Sequence, residues 1–88
     1  MKLVISPKAE KKLKKIPKFD QIAIGQKIRI IGETKDLLQE EKLRGFKDTF
    51  RIRVGDYRIV YRRSAESVYI ILIGHRKEIY DLLRQLLK

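Results

Sequence analysis

Arg51, Arg53, Arg58 and Arg62 stand in and beside two apolar runs, residues 50–54 and 57–61, that only Gly55 and Asp56 separate. A guanidinium is permanently charged and donates in a planar fork that matches phosphate oxygens. It cannot act as a base, because it does not give up its proton in proteins. Any chemistry on a bound phosphate therefore needs a second group to move a proton. The nearest candidates are His75 and Tyr80, which follow the next apolar run. Asp48 and Asp56 fall in turns, and nothing in the sequence places a carboxylate pair beside the arginines. Arginines with one histidine or tyrosine and no metal fit RNA cleavage by the RNA's own 2′-hydroxyl. A base removes the 2′-OH proton, guanidiniums stabilise the in-line phosphorane, and an acid protonates the departing 5′-oxygen. DNA lacks that hydroxyl.

The elements that must position these groups begin with a hairpin. The Gly55-Asp56 spacer suits a type II′ turn, in which glycine takes the positive φ of the first central position. A two-residue loop sets the register: Val54 faces Tyr57, Arg53 faces Arg58, Ile52 faces Ile59 and Phe50 faces Tyr61. Side chains alternate along a strand, so Phe50, Ile52, Val54, Tyr57, Ile59 and Tyr61 share an apolar face. Arg51, Arg53, Arg58 and Arg62 share the other face with Val60 and Thr49. Like charges set opposite one another destabilise a sheet, which argues that this face is kept for an anion. The bland alternatives are that exposed strand arginines only aid solubility, that a lone histidine at a strand end is structural, and that Tyr80 merely packs beside an apolar helix stripe.

Around the hairpin the chain reads as one small α+β domain over residues 1–88, in the order β-α-α-β-β-β-α. Residues 2–5 form a short strand. Ser6 and Pro7 then make a helix start, as N-cap and first helical residue. Residues 8–16 carry Ala9, Leu13 and Ile16 at helical spacing, with Lys8, Lys11, Lys12, Lys14 and Lys15 filling most of the rest. That lysine face is either solvated or a polyanion contact. Pro17 separates it from a second helix over about 19–31, with an Ile24, Ile28, Ile31 stripe widened by Phe19, Ala23 and Ile30. Close packing of the two helices would explain the interior Gly25, and Gly32 is the expected stop. Residues 33–41 are an acidic connection anchored by Leu37 and Leu38, and residues 42–46 a short strand. Residues 68–73 are apolar on both faces, as an interior strand requires. The last helix shows Ile79, Leu82, Leu83, Leu86 and Leu87 at helical spacing. The two N-terminal helices are expected to cover the apolar hairpin face of an antiparallel sheet and leave the arginine side open. What the last helix covers stays undecided at this point.

The 88 residues carry 22 Lys+Arg against 11 Asp+Glu, a formal net charge of +11. Such an excess suits nucleic acid, an anionic surface or an acidic protein partner. With no cysteine, thiol chemistry, disulfides and Cys-ligated metals are excluded; a single histidine argues against a His-built metal site, while counting alone does not exclude one built from carboxylates. No cofactor is expected. The apolar part of MKLVISPK is too short for a signal peptide, and no apolar run reaches the ~20 residues of a membrane span, so a cytoplasmic protein is expected.

The stretches LRGFKDTFRIRVGDYRIVYRR and VYIILIGHRKEIY resemble the RelE/ParE toxin superfamily, on its RelE side. The order of elements agrees over the whole chain. The resemblance implies a RelE-like fold and the toxin of a type II toxin–antitoxin system. It would be a ribosome-dependent mRNA endonuclease that stops translation and is neutralised by an acidic, RelB-type antitoxin from the adjacent gene. By motif, Arg51 and Arg53 match two basic strand positions, and Arg58 the arginine of the following strand. Arg76 matches the basic residue after the last strand, and Tyr80 the tyrosine of the last helix. Some RelE-type toxins have lysines in place of Arg51 and Arg53. These arginines cannot titrate, so the resemblance implies charge stabilisation from them and leaves Tyr80 or His75 as the base. It also implies mRNA and the ribosome as partners; outside the motif, Arg62 is expected as a further phosphate contact and Lys8, Lys11, Lys12 and Lys15 as contacts to ribosomal RNA. The rival readings are a ParE-type DNA-gyrase inhibitor on the same fold and a non-catalytic RNA-binding homologue.

Overall fold

The computed structural model describes residues 2–34 and 39–86. β1 (Lys2–Ile5) leads through Ser6 into α1 (Pro7–Lys15). The Ser6 hydroxyl accepts from the Ala9 N–H at 3.0 Å and donates to the Ile71 carbonyl at 2.7 Å. One side chain thus caps α1 and ties it to the sheet. Pro17 turns the chain into α2 (Lys18–Glu33), and Gln21 donates to the Leu13 carbonyl at the end of α1. Next come β2 (Glu41–Lys42), β3 (Thr49–Val54), β4 (Tyr57–Arg63), β5 (Ser67–His75) and α3 (Ile79–Leu86). The strand order is β1-β5-β4-β3-β2, antiparallel except for the β1–β5 pair. The α+β class is as the sequence suggests. The expected order β-α-α-β-β-β-α is one strand short: the short strand expected over 42–46 is present as the two-residue β2, paired with β3, so four strands follow α2.

The hairpin register is the one the spacer dictates, from Val54↔Tyr57 to Phe50↔Tyr61. Gly55 has φ 58° while Asp56 does not take positive φ, the signature of a type II′ turn. Ile52, Ile59, Tyr61, Val68, Ile70 and Ile73 face α1 and α2, packed on Ala9, Ile16, Ile24, Ile28 and Ile31. The other sheet face has its own smaller core, Val60 and Leu72 beneath Ile79 and Leu83 of α3. A bulge lets β5 serve both. Val60 pairs with Leu72 and Tyr61 with Ile70, so Ile71 and Leu72 both turn toward α3. The last helix therefore covers the middle of the arginine side, which the sequence left undecided.

Several expectations change. The strand expected over 42–46 stops at Lys42. Gly45 at φ 84° and Asp48 at φ 52° bend the chain, and Leu43 and Phe46 fold against the α3 core instead. Helix α2 runs through Gly32 to Glu33 and stops at Thr34. Gly25 is not a close-packing site: among the described residues a Cβ there would meet nothing within 4 Å. Phe19 is 84% exposed, and Ile22 and Ile30 are exposed as well, so the buried stripe narrows to Ile24, Ile28 and Ile31. Leu37, Leu38 and Leu87 lie outside the described residues. Among the described residues no helix is long and apolar enough to cross a membrane.

Candidate nucleic-acid interface

At the turn end of the hairpin, beyond the footing of α3, the arginine side opens into a cleft of about 150 Å³ lined by Glu41, Arg51, Arg53, Arg58 and Tyr80. β3 supplies Arg51 and Arg53, β4 supplies Arg58, and α3 delivers Tyr80 from across the sheet. The Arg51 guanidinium lies 5.2 Å from the Tyr80 ring centroid, a cation–π distance. Its Nη2 is 2.9 Å from Oε2 of Glu41, its cross-strand partner on β2. Arg53 and Arg58 face one another across the hairpin, an arrangement that costs stability. Both donate at 3.3 Å to the Gly55 carbonyl, and Arg58 also donates to the Tyr57 carbonyl at 3.0 Å. Partial burial lowers the Arg58 pKa from its ordinary value, and the charges of Arg53, Arg51 and Arg76 lower it further. A crowd of cations that weakens its own members is a standing attraction for an anion.

Arg76 joins from the turn after β5. Its backbone N–H donates to the Asp56 carbonyl at 2.8 Å, and its side chain is about half exposed with Nε 3.9 Å from Asp56 Oδ1. His75 does not join. In register with Tyr57, it lies on the α1/α2 side of the sheet, edge-on to the Tyr57 ring at 5.6 Å. Its Nδ1 accepts the Lys77 N–H at 3.2 Å. The neighbour facing Arg58 is Gly74, where a Cβ would come within 3.2 Å of Ile79 and Leu82. Alternation along β5 thus separates His75 from the arginines, which adjacency in sequence could not reveal.

Arg62 is also separated. It pairs with Thr49 and Tyr69 at the far end of the hairpin, with Val60 and the foot of α3 between it and the cleft. Lys8, Lys11, Lys12 and Lys15 line a different groove of about 190 Å³ with Leu72, Ile73, Glu78 and Leu82. Lys12 is bound there to Glu78 at 2.6 Å. Tyr80 and Leu82, two positions apart, point to opposite sides of α3, so that helix divides the lysine groove from the arginine cleft.

The sequence reading missed two groups. Glu41, placed in an acidic connection, is a carboxylate inside the cleft. A β2 strand begun one residue earlier would have set it opposite Arg51 as a complementary cross-strand pair. Behind it, Glu40 accepts from Arg63 at 2.7 and 3.1 Å and from the Tyr61 hydroxyl. Burial, and then the Glu40 carboxylate, hold the Tyr61 phenol far above its ordinary pKa. This network pins the start of β2 and with it the position of Glu41. Among the described residues no group of three or more His, Asp or Glu side chains could hold a metal ion.

A family model described as the ParE toxin of type II toxin–antitoxin systems (parDE) matches residues 3–80. The toxin RelE3 of Methanocaldococcus jannaschii is 33% identical over 89 residues, covering 92% of this chain and 97% of that one. The chain belongs to the RelE/ParE superfamily of type II toxins. Solved RelE structures share the fold of this superfamily member. The toxin in the RelB–RelE antitoxin–toxin complex from Methanococcus jannaschii superposes with a TM-score of 0.74 at 28% identity, over 90% of this chain and 96% of that one. The isolated E. coli RelE toxin gives 0.74 at 25% identity, over 99% and 98%. In the intact E. coli RelBE complex the values are 0.73 and 26%, over 84% and 94%. The arginine cleft of this RelE/ParE chain is built from strands and a helix that belong to the shared fold.

Proposed function

We propose that this protein is a RelE-type toxin that cleaves mRNA on the ribosome, with the arginine cleft as its active site. The observation that carries the reading is the convergence of Arg51, Arg53, Arg58 and Tyr80 on one cleft, with the Arg51 guanidinium against the Tyr80 ring. The guanidiniums hold the scissile phosphate and spread the charge of the phosphorane. The O2′–P bond forms, the P–O5′ bond breaks, and the RNA is left with a 2′,3′-cyclic phosphate. Tyr80 is the group placed to move the proton, taking it from the 2′-OH as a phenolate and returning it to the departing 5′-oxygen as a phenol. Glu41 is a poor acceptor, because its hydrogen bond to Arg51 and the Arg51 charge keep its pKa below the ordinary value. Arg76 adds charge at the rim. The lysine groove and Arg62 give further contacts to mRNA or ribosomal RNA outside the cleft. RelB–RelE complexes among the relatives, together with the +11 charge, support an acidic antitoxin as the neutralising partner.

Expression of the chain should arrest protein synthesis, and Arg58→Ala with Arg76→Ala should relieve the arrest. An undiminished arrest by the double variant would remove the cleft from the account. The ParE description of the family model favours a second reading, inhibition of DNA gyrase. Under that reading expression damages DNA while protein synthesis initially continues.

A further inference from the structure

Among the described residues, Glu41 is the one acidic side chain lining the arginine cleft. Its carboxylate lies 2.9 Å from Arg51 Nη2, with its own side chain 67% exposed and that of Arg51 24% exposed. The charge of Arg58 also contributes to the lowering of its pKa, so the carboxylate is felt by two of the cleft's guanidiniums. The residue before it is fixed: Glu40 and Arg63 form an ion pair with side chains only 12% and 15% exposed. Glu41 thus has an anchored backbone and a solvent-facing side chain that can swing away without disturbing the fold. Planar carboxylate oxygens at this distance from a guanidinium take the place that phosphate oxygens would take.

We propose that Glu41 is a built-in stand-in for the RNA phosphate, occupying the phosphate subsite beside Arg51 until a backbone phosphate displaces it. The inference rests on RNA being the ligand of the cleft. While the carboxylate is in place, the mutual repulsion of the arginines is partly neutralised and Arg51 is held against Tyr80. When phosphate enters, Arg51 exchanges one anion for another, and the carboxylate moves toward solvent. An exposed ion pair opens at small cost, so the device lowers affinity for RNA severalfold without blocking the cleft. It also favours ligands that bring a phosphate to Arg51 over those that meet only the outer lysines.

The test is binding of a fluorescein-labelled, fully 2′-O-methylated single-stranded RNA oligomer, which cannot be cleaved, to the full chain at low salt. Glu41→Gln should tighten binding about two- to fivefold, with the gain fading as salt rises. The same substitution made in an Arg51→Ala background should give a clearly smaller gain, because the displaced pair is already gone. Equal or weaker binding by Glu41→Gln would overturn the proposal. So would an undiminished gain in the Arg51→Ala background, which would reduce the effect to net charge. Failure of the RNA reading shows separately, as wild-type protein binding no better than Arg58→Ala.

Discussion

Replacing Glu40 by glutamine tests whether the network behind the cleft holds β2 in place. The Glu40 carboxylate serves three donors: two N–H groups of Arg63 at 2.7 and 3.1 Å and the Tyr61 hydroxyl. Arg63 lies over the Phe50 and Tyr61 rings at 5.1 and 5.7 Å, and among the described residues its buried Nε has no hydrogen-bond partner. Glutamine offers one acceptor oxygen in place of two and turns an NH2 group toward another donor. At least one buried donor is stranded, at about 1–3 kcal/mol, and a guanidinium only 15% exposed loses its counter-charge. A cost of about 2–3 kcal/mol follows, below the ~3–5 of a fully buried pair. An 88-residue domain is stable by only ~4–13 kcal/mol, and each kcal/mol shifts Tm by ~4–8 °C. Urea denaturation followed by circular dichroism should thus show a large fall in midpoint, and thermal melting a drop of roughly 10–20 °C. Glu40→Leu with Arg63→Met, which removes both charges, should be less damaging than Glu40→Gln alone. A loss below about 0.5 kcal/mol in Glu40→Gln would refute the reasoning, since that is the scale of an ordinary surface change.

Three further outcomes follow from the packing. Gly25→Ala, with open space at its Cβ, should stabilise the domain by about 0.5–1 kcal/mol through helix propensity, read as a raised urea midpoint; a fall would mean the site is packed after all. Ser6→Ala removes both the α1 cap and the bond to the Ile71 carbonyl and should cost about 1–2 kcal/mol in the same assay. The Glu78 pKa lies below its ordinary 4.5, first through Lys12 and then through the His75 N–H. Its stabilising effect is therefore full above that value and is lost as pH falls through the lower folded value. The stability gap between wild type and Glu78→Gln should narrow as pH falls below 4.5 and close once it passes the lower folded value, and being a partly exposed pair it should stay under about 1 kcal/mol at neutrality.

What the sequence made legible was what short-range rules control. The Gly55-Asp56 spacer fixed six cross-strand pairs, and Ser6-Pro7 placed the first turn of α1. The doubly apolar run over 68–73 announced a strand with a core on each side. Grouping of side chains beyond one hairpin was harder to see. Arg62 shares a face with Arg58, yet α3 stands between them. His75 adjoins Arg76 in sequence but faces the other way. Tyr80 reaches Arg51 only because α3 crosses back over the sheet, and Glu41 enters the cleft through a strand of two residues. These placements depend on tertiary packing and on a bulge at Ile71, for which the local pattern holds no signal. Phe19 and Ile30 remain exposed on α2, and periodicity alone did not distinguish them from the buried stripe.

The central claim is that the cleft of Arg51, Arg53, Arg58 and Tyr80 cuts RNA. Primer extension on a defined mRNA, in a reconstituted translation reaction with purified protein, tests it most directly. The expected result is cleavage at discrete positions that requires ribosomes and leaves 2′,3′-cyclic phosphate ends. Tyr80→Phe should slow it about 10²–10⁴-fold, and Arg58→Ala about 10²–10³-fold, with both variants folded by circular dichroism. Intact mRNA beside wild-type protein, or cleavage that survives both substitutions, would contradict the account.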